Sequence, residues 1–232
     1  MLVQPEHGHL FTYVAQRPVP ANNLGPYLDR GLHQRARFFY EAQQADVALD
    51  LLEALQVRYF VTSLGRLQTD SFVAAVHFSN DGSVRTQDRS STGRIRLVAE
   101  GPPRGRPSRT RGPPGAKVEV PTFKLFEVVK GAVFVAETEP NALATAKLTL
   151  TSPLGRTPFR VVAQADASGW LQLRVPYPSE SPDAQQSVVH ALGKWRVELG
   201  GNRYAVTVTE TDVREGREIR LDLERPVRRG SR

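Results

Sequence analysis

From Lys117 to Glu224 the chain consists of short runs in which apolar and polar residues alternate. That period of two restricts the region to β-structure, because successive side chains of a strand point to opposite faces. Val118-Glu119-Val120, Phe123–Val129, Ala132–Ala136, Ala146–Leu150 and Phe159–Ala163 come first. Trp170–Val175, Trp195–Leu199, Tyr204–Val208 and Ile219–Leu223 follow. Turn sequences separate them, among them Pro153-Leu154-Gly155, Ala167-Ser168-Gly169 and Gly200-Gly201-Asn202. Many short strands at this spacing predict an antiparallel β-sandwich over 117–224.

Before Gly101 the pattern is mixed. Val47, Ala48, Leu51, Leu52 and Leu55 recur at helical spacing, with Asp46, Asp50 and Glu53 on the other side. The β-rich run Val57–Thr62 follows at once. Residues 36–43 predict a short preceding helix and 70–78 a further one, closed by the turn Asn80-Asp81-Gly82. Arg94–Val98 alternates like a half-exposed strand. The fold class expected is α+β: a small mixed α/β domain over 1–100, then the sandwich. Between them, 101–116 is rich in Pro, Gly and Arg, has no apolar side chain except proline before Ala116, and predicts a linker. Residues 225–232 form a basic tail.

The net charge of +7 sits in those two segments. Residues 101–116 hold four Arg and no acid, and so do 225–232; residues 1–100 are neutral and 117–224 carry −1. A nucleic-acid-binding domain places its excess charge on a folded face, so no nucleic-acid partner is expected. Cysteine is absent, which excludes disulfides and thiolate metal sites. The longest run free of charge, Pro18–Leu28, is far short of the ~20 apolar residues of a spanning helix. Met1–Glu6 lacks the basic start and apolar core of a signal peptide. Read as complete, the sequence is expected in the cytoplasm.

Motifs that carry chemistry are few. No Gly-x-Ser-x-Gly, phosphate-cradling glycine loop or glycosylation sequon occurs. His7 and His9 share a strand face and could reach one ion, but no third ligand except Glu6 is near in sequence, and the expectation is a polar strand entry without metal. Trp170 and Trp195 suit either a core or a sugar-stacking platform, and core is the commoner use. The turn Asp166–Gly169 followed by the strand Trp170–Val175 and Pro176 is similar to prealbumin-like and carboxypeptidase-regulatory-like β modules.

The stretch His7–Asn23 resembles the start of the soluble C-terminal region of oligosaccharyltransferase catalytic subunits, the single-chain membrane glycosyltransferases of archaea and bacteria. There a Trp-Trp-Asp-Tyr-Gly motif leads into an aromatic strand and an Arg-Pro, Asn-rich turn. Gly8 matches the glycine, His9–Tyr13 the strand and Arg17–Asn23 the turn, while residues 46–62 resemble the helix and strand that follow. Gln4 and Pro5 stand in place of the tryptophans, Glu6 of the Asp and His7 of the Tyr. The resemblance implies acceptor binding at Glu6, His7, Gly8 and His9, with a peptide or glycan as acceptor. It implies no catalytic residue, metal or cofactor in this chain, which alone is expected to be inactive. A divalent metal and the lipid-linked donor belong to a missing membrane half, and the membrane half or surface is the expected partner. The location implied is the periplasmic or extracellular side. The alternative is a cell-envelope binding module that recognises a protein or glycan through the sandwich.

Overall fold

The computed structural model describes residues 1–4, 16, 29–78, 92–107, 117–179 and 188–223. The turn at Asn80-Asp81-Gly82 and the tail 225–232 lie outside them. The chain forms two compact units, Met1–Phe78 with Leu97–Phe126, and Ser79–Arg96 with Glu127–Arg232.

The first unit is mixed. Helix α1 (Arg30–Glu41) is capped by Asp29, whose carboxylate accepts from the Leu32 amide at 2.9 Å. It buries Ala36 and Phe39. Helix α2 (Ala45–Ala54) occupies the predicted place but presents a rotated face: Ala45, Ala48, Leu49 and Leu52 are buried, whereas Val47 is 46% exposed. Strand β1 (Tyr59–Ser63) follows, then a 3-10 turn (Leu64–Arg66) and α3 (Phe72–Phe78). With β2 (Ile95–Glu100) and β5 (Phe123–Val128), β1 makes a three-stranded sheet in the order β1-β5-β2. Its core is aromatic. Phe60 stacks on Phe126 at 5.1 Å and meets Phe39 edge-on at 5.2 Å, and Phe39 meets Phe72 at 6.2 Å.

The predicted linker is partly β-structure. Strand β3 (Pro103–Pro107) pairs antiparallel with β4 (Lys117–Pro121), from Pro103 opposite Pro121 to Pro107 opposite Lys117. Prolines sit at the ends of this two-stranded ribbon, where a missing N–H costs no ladder bond. Residues 108–116 lie outside the described residues. The two units divide elsewhere: the chain passes between them at 78/79, 96/97 and 126/127.

Among the described residues the second unit holds two sheets. One is antiparallel, in the order β11-β10-β7-β8, from β7 (Leu143–Ser152), β8 (Gly155–Gln164), β10 (His190–Leu199) and β11 (Asn202–Val206). The other is β12-β6-β9, from β6 (Ala132–Glu137), β9 (Trp170–Val175) and β12 (Glu218–Arg220). The alternation predicted for these strands is seen directly: Ala144, Ala146, Leu148 and Leu150 are buried while Lys147 and Thr149 are exposed. Trp195 of β10 is fully buried, meets Phe134 of β6 at 6.2 Å and donates its indole N–H to the Tyr177 carbonyl at 2.9 Å. The turn before β9 is built as its sequence indicates. Asp166 Oδ1 accepts from the Ser168 amide, the Ser168 hydroxyl and the Trp170 amide, and Gly169 adopts φ +84°, where a Cβ would strike the Thr138 carbonyl.

One expectation is corrected. The segment at Ile219 is not a further antiparallel strand: β12 runs parallel to β6, with Ile219 opposite Phe134. The cause is helix α4 (Glu210–Glu215), which the alternation did not reveal. Thr209 and Asp212 form a capping box at its start, and Gly216 at φ +73° ends it, so the chain returns in the same sense as β6.

Candidate functional site

Glu6, His7, Gly8 and His9 lie outside the described residues, as does all but Gln16 of the stretch that carries the resemblance. What the structure does place is both of its ends. Upstream, Leu2 pairs in parallel with Phe60; its N–H donates to the Tyr59 carbonyl at 2.6 Å and its carbonyl accepts from Val61 at 2.9 Å. Leu2, Val3 and Gln4 are buried. The chain is therefore fixed on the aromatic core of the first unit two residues before Glu6. Downstream, the Asp29 cap fixes the chain at the start of α1. Sequence reading found the segment between these anchors but not the anchors, because Leu2 carries no pattern of its own.

Two buried polar groups of the first unit serve packing. His77 is fully buried, and its Nε2 donates to the Pro121 carbonyl at 3.0 Å, since a carbonyl can only accept. Its Nδ1 is then the acceptor for the Thr62 hydroxyl at 2.6 Å. This histidine ties α3 to β1 and to β4. Lys124 is also buried, with Nζ 3.8 Å from Glu100. Burial pushes its ammonium below the usual lysine range, and the Glu100 carboxylate opposes that shift.

The most developed charged cluster lies in the second unit. The Arg96 guanidinium donates from Nε to Glu127 at 2.8 Å. Its two terminal nitrogens make a fork onto Glu210 at 2.8 and 2.7 Å. Glu210 also accepts from Arg214 at 2.7 Å. Burial alone lowers the pKa of Arg96, but its bonds to Glu210 and Glu127 outweigh it and hold the group above the ordinary arginine value. Burial likewise pushes the Glu210 carboxyl up, and the bonds from Arg96 and Arg214 reverse this and hold it below the carboxylate range. The folded state thus favours ionised Glu210. Its contribution is complete above the unfolded carboxylate pKa and is lost as pH falls through the folded value. Urea unfolding at pH values stepped down from neutral through about pH 4 is expected to show falling stability, with a smaller fall in Glu210→Gln.

Among the described residues no group of three His, Asp or Glu side chains is placed to hold a metal ion. His33, His77 and His190 lie on separate elements: α1, α3 and β10. No described helix is long and apolar enough to cross a membrane.

Comparison with known proteins agrees with the resemblance read from His7–Asn23. Residues 131–219 match the model of the archaeal glycosylation protein B long peripheral domain. No curated protein matches the chain. Among solved structures, an Archaeoglobus fulgidus oligosaccharyltransferase in complex with zinc and sulfate superposes with a TM-score of 0.70 at 16% identity, covering 96% of this chain and 41% of that one. The archaeal oligosaccharyltransferase AglB from Archaeoglobus fulgidus, in complex with an inhibitory peptide and a dolichol-phosphate, gives the same score and identity and covers 96% and 37%. The Archaeoglobus fulgidus enzyme tethered by a disulfide to an acceptor peptide containing the NVT sequon also scores 0.70 at 16% identity, covering 96% and 38%. The chain spans about two fifths of the length of these solved proteins. Residues 131–219 are thus similar to the long peripheral domain of archaeal glycosylation protein B, and the chain as a whole shares the α+β fold of part of an archaeal oligosaccharyltransferase.

Proposed function

We propose that the chain is the extracytoplasmic portion of an oligosaccharyltransferase-like glycosyltransferase, where it contributes to acceptor binding and supports a membrane-embedded catalytic half. The observation that carries this reading is the fold match over 96% of the chain, which spans both units and is joined by the peripheral-domain match over 131–219. Sugar transfer, the lipid-linked donor and the divalent metal are assigned to the remaining part of such an enzyme.

Within this reading the acceptor meets Glu6–His9, the segment that begins just after the Leu2 anchor. An ionised Glu6 only accepts hydrogen bonds, so it suits the hydroxyl of a Ser or Thr in an acceptor sequence. A neighbouring histidine can donate to the acceptor backbone. The test is titration of the purified chain with a peptide carrying an Asn-Val-Thr sequon, followed by calorimetry. Saturable binding is expected, weakened about tenfold by Glu6→Gln, the scale of one charge-assisted hydrogen bond. Equal affinity for a peptide lacking the hydroxyl residue contradicts the assignment of Glu6.

A further inference from the structure

The outer face of the four-stranded sheet carries a row of like charges. Arg196 of β10 lies directly opposite Lys147 of β7, and Lys147 directly opposite Arg160 of β8. All three are exposed. Like charges in directly opposed cross-strand positions destabilise a sheet, so folding alone disfavours this arrangement. Arg203 and Lys194 add to it, and one carboxylate offsets the set: Glu198 bonds Lys147 at 2.6 Å and Arg203 at 3.3 Å. The Lys147 bond, with the further pull of Arg203 and Arg160, holds Glu198 below the usual carboxylate range. Among the described residues Lys194 and Arg196 have no carboxylate partner.

The face is also hollowed. Between Leu192 and Arg196 the register slips, so that four steps along β10 match two along β7, from Thr149 to Lys147. Gly193 takes φ +80° in this bulge, the left-handed region that favours glycine. The result is a groove of about 600 Å³ whose lining includes Lys147, Arg160, Lys194, Arg196 and Arg203, with Thr149 and Leu192 beside them.

We infer that this groove binds an anionic glycan, a saccharide chain bearing carboxylate or sulfate groups. Three features select it. Five cations against one carboxylate complement a polyanion, and the row repeats at the inter-strand spacing of ~4.8 Å, which suits successive charged groups better than a single ion. The row centres on β7 and β10, inner strands whose backbone is paired on both sides, so an acidic peptide gains no main-chain ladder there. Leu192, 40% exposed, offers an apolar edge to the C–H face of a sugar. The inference does not depend on the transferase reading, since it rests on the second unit's own face.

The test uses the full chain and hexagalacturonate, with maltohexaose as the neutral control, followed by calorimetry at low and high salt. Binding of the acidic sugar only, weakened by salt, is expected. Arg196→Gln with Arg160→Gln is expected to weaken it at least tenfold while Tm stays the same or rises, because the opposed cations are relieved. Arg228→Gln with Arg229→Gln in the tail is expected to leave affinity unchanged. Absent binding, equal affinity in the groove variant, loss on changing the tail alone, or tighter binding to phosphatidylglycerol vesicles or polyglutamate each overturns the proposal.

Discussion

Arg96→Met is expected to destabilise the second unit by about 3–5 kcal/mol, because it removes the guanidinium that bonds both Glu127 and Glu210. Side-chain exposure is 12% for Arg96 and 5% for Glu127, so the ion pair is largely shielded from water. Glu210 keeps Arg214 and is the less penalised of the two acids. The double variant Arg96→Met with Glu127→Leu is expected to recover a large part of the loss, since an apolar pair carries no desolvation cost. Urea unfolding of the single and double variants measures the difference, and equal losses in both would show that the ion pair is not the cause.

Trp195→Ala is expected to cost about 3–5 kcal/mol, the usual range for truncating a large buried aromatic. The side chain is fully buried, meets Phe134 at 6.2 Å and Phe159 at 5.8 Å, and donates to the Tyr177 carbonyl. Trp195→Phe keeps an aromatic ring but removes the indole N–H that donates to that carbonyl, so a smaller loss of about 1–3 kcal/mol is expected. Circular dichroism during urea unfolding follows both variants. A loss below 1 kcal/mol in the alanine variant would mean that this ring does not hold the two sheets together. Buried in the core, Trp195 cannot serve as a sugar-stacking surface.

What the sequence made legible was local. The alternation of residues 143–152 predicts the inward row Ala144–Leu150, and helical spacing places α2 before β1. What escaped depends on distant partners. Arg94-Ile95-Arg96-Leu97 reads as a strand with Arg96 turned to solvent, yet Glu210, 114 residues away, covers it. The row Arg196–Lys147–Arg160 is invisible to charge counting, because 117–224 is nearly neutral and only the register gathers its cations on one face. Helix α4 is six residues long, too short for a period, although Thr209 and Asp212 mark its cap and Gly216 its end. Pro103 and Pro107 suggested a linker because their place at the ends of β3 becomes visible only once β4 pairs with it. The segment proposed to meet the acceptor stands out only by family resemblance, and the structure adds the two anchors, Leu2 and Asp29, on either side of it.

The central claim is that the first unit presents an acceptor-binding segment between those anchors. Amide hydrogen exchange of the full chain, with and without saturating Asn-Val-Thr peptide, tests it most directly. Slower exchange concentrated in residues 5–28, and lost in Glu6→Gln, is the predicted result. Unchanged exchange across 5–28, with any slowing confined to the outer face of β7, β8 and β10, would contradict it and leave the second unit as the chain's binding element.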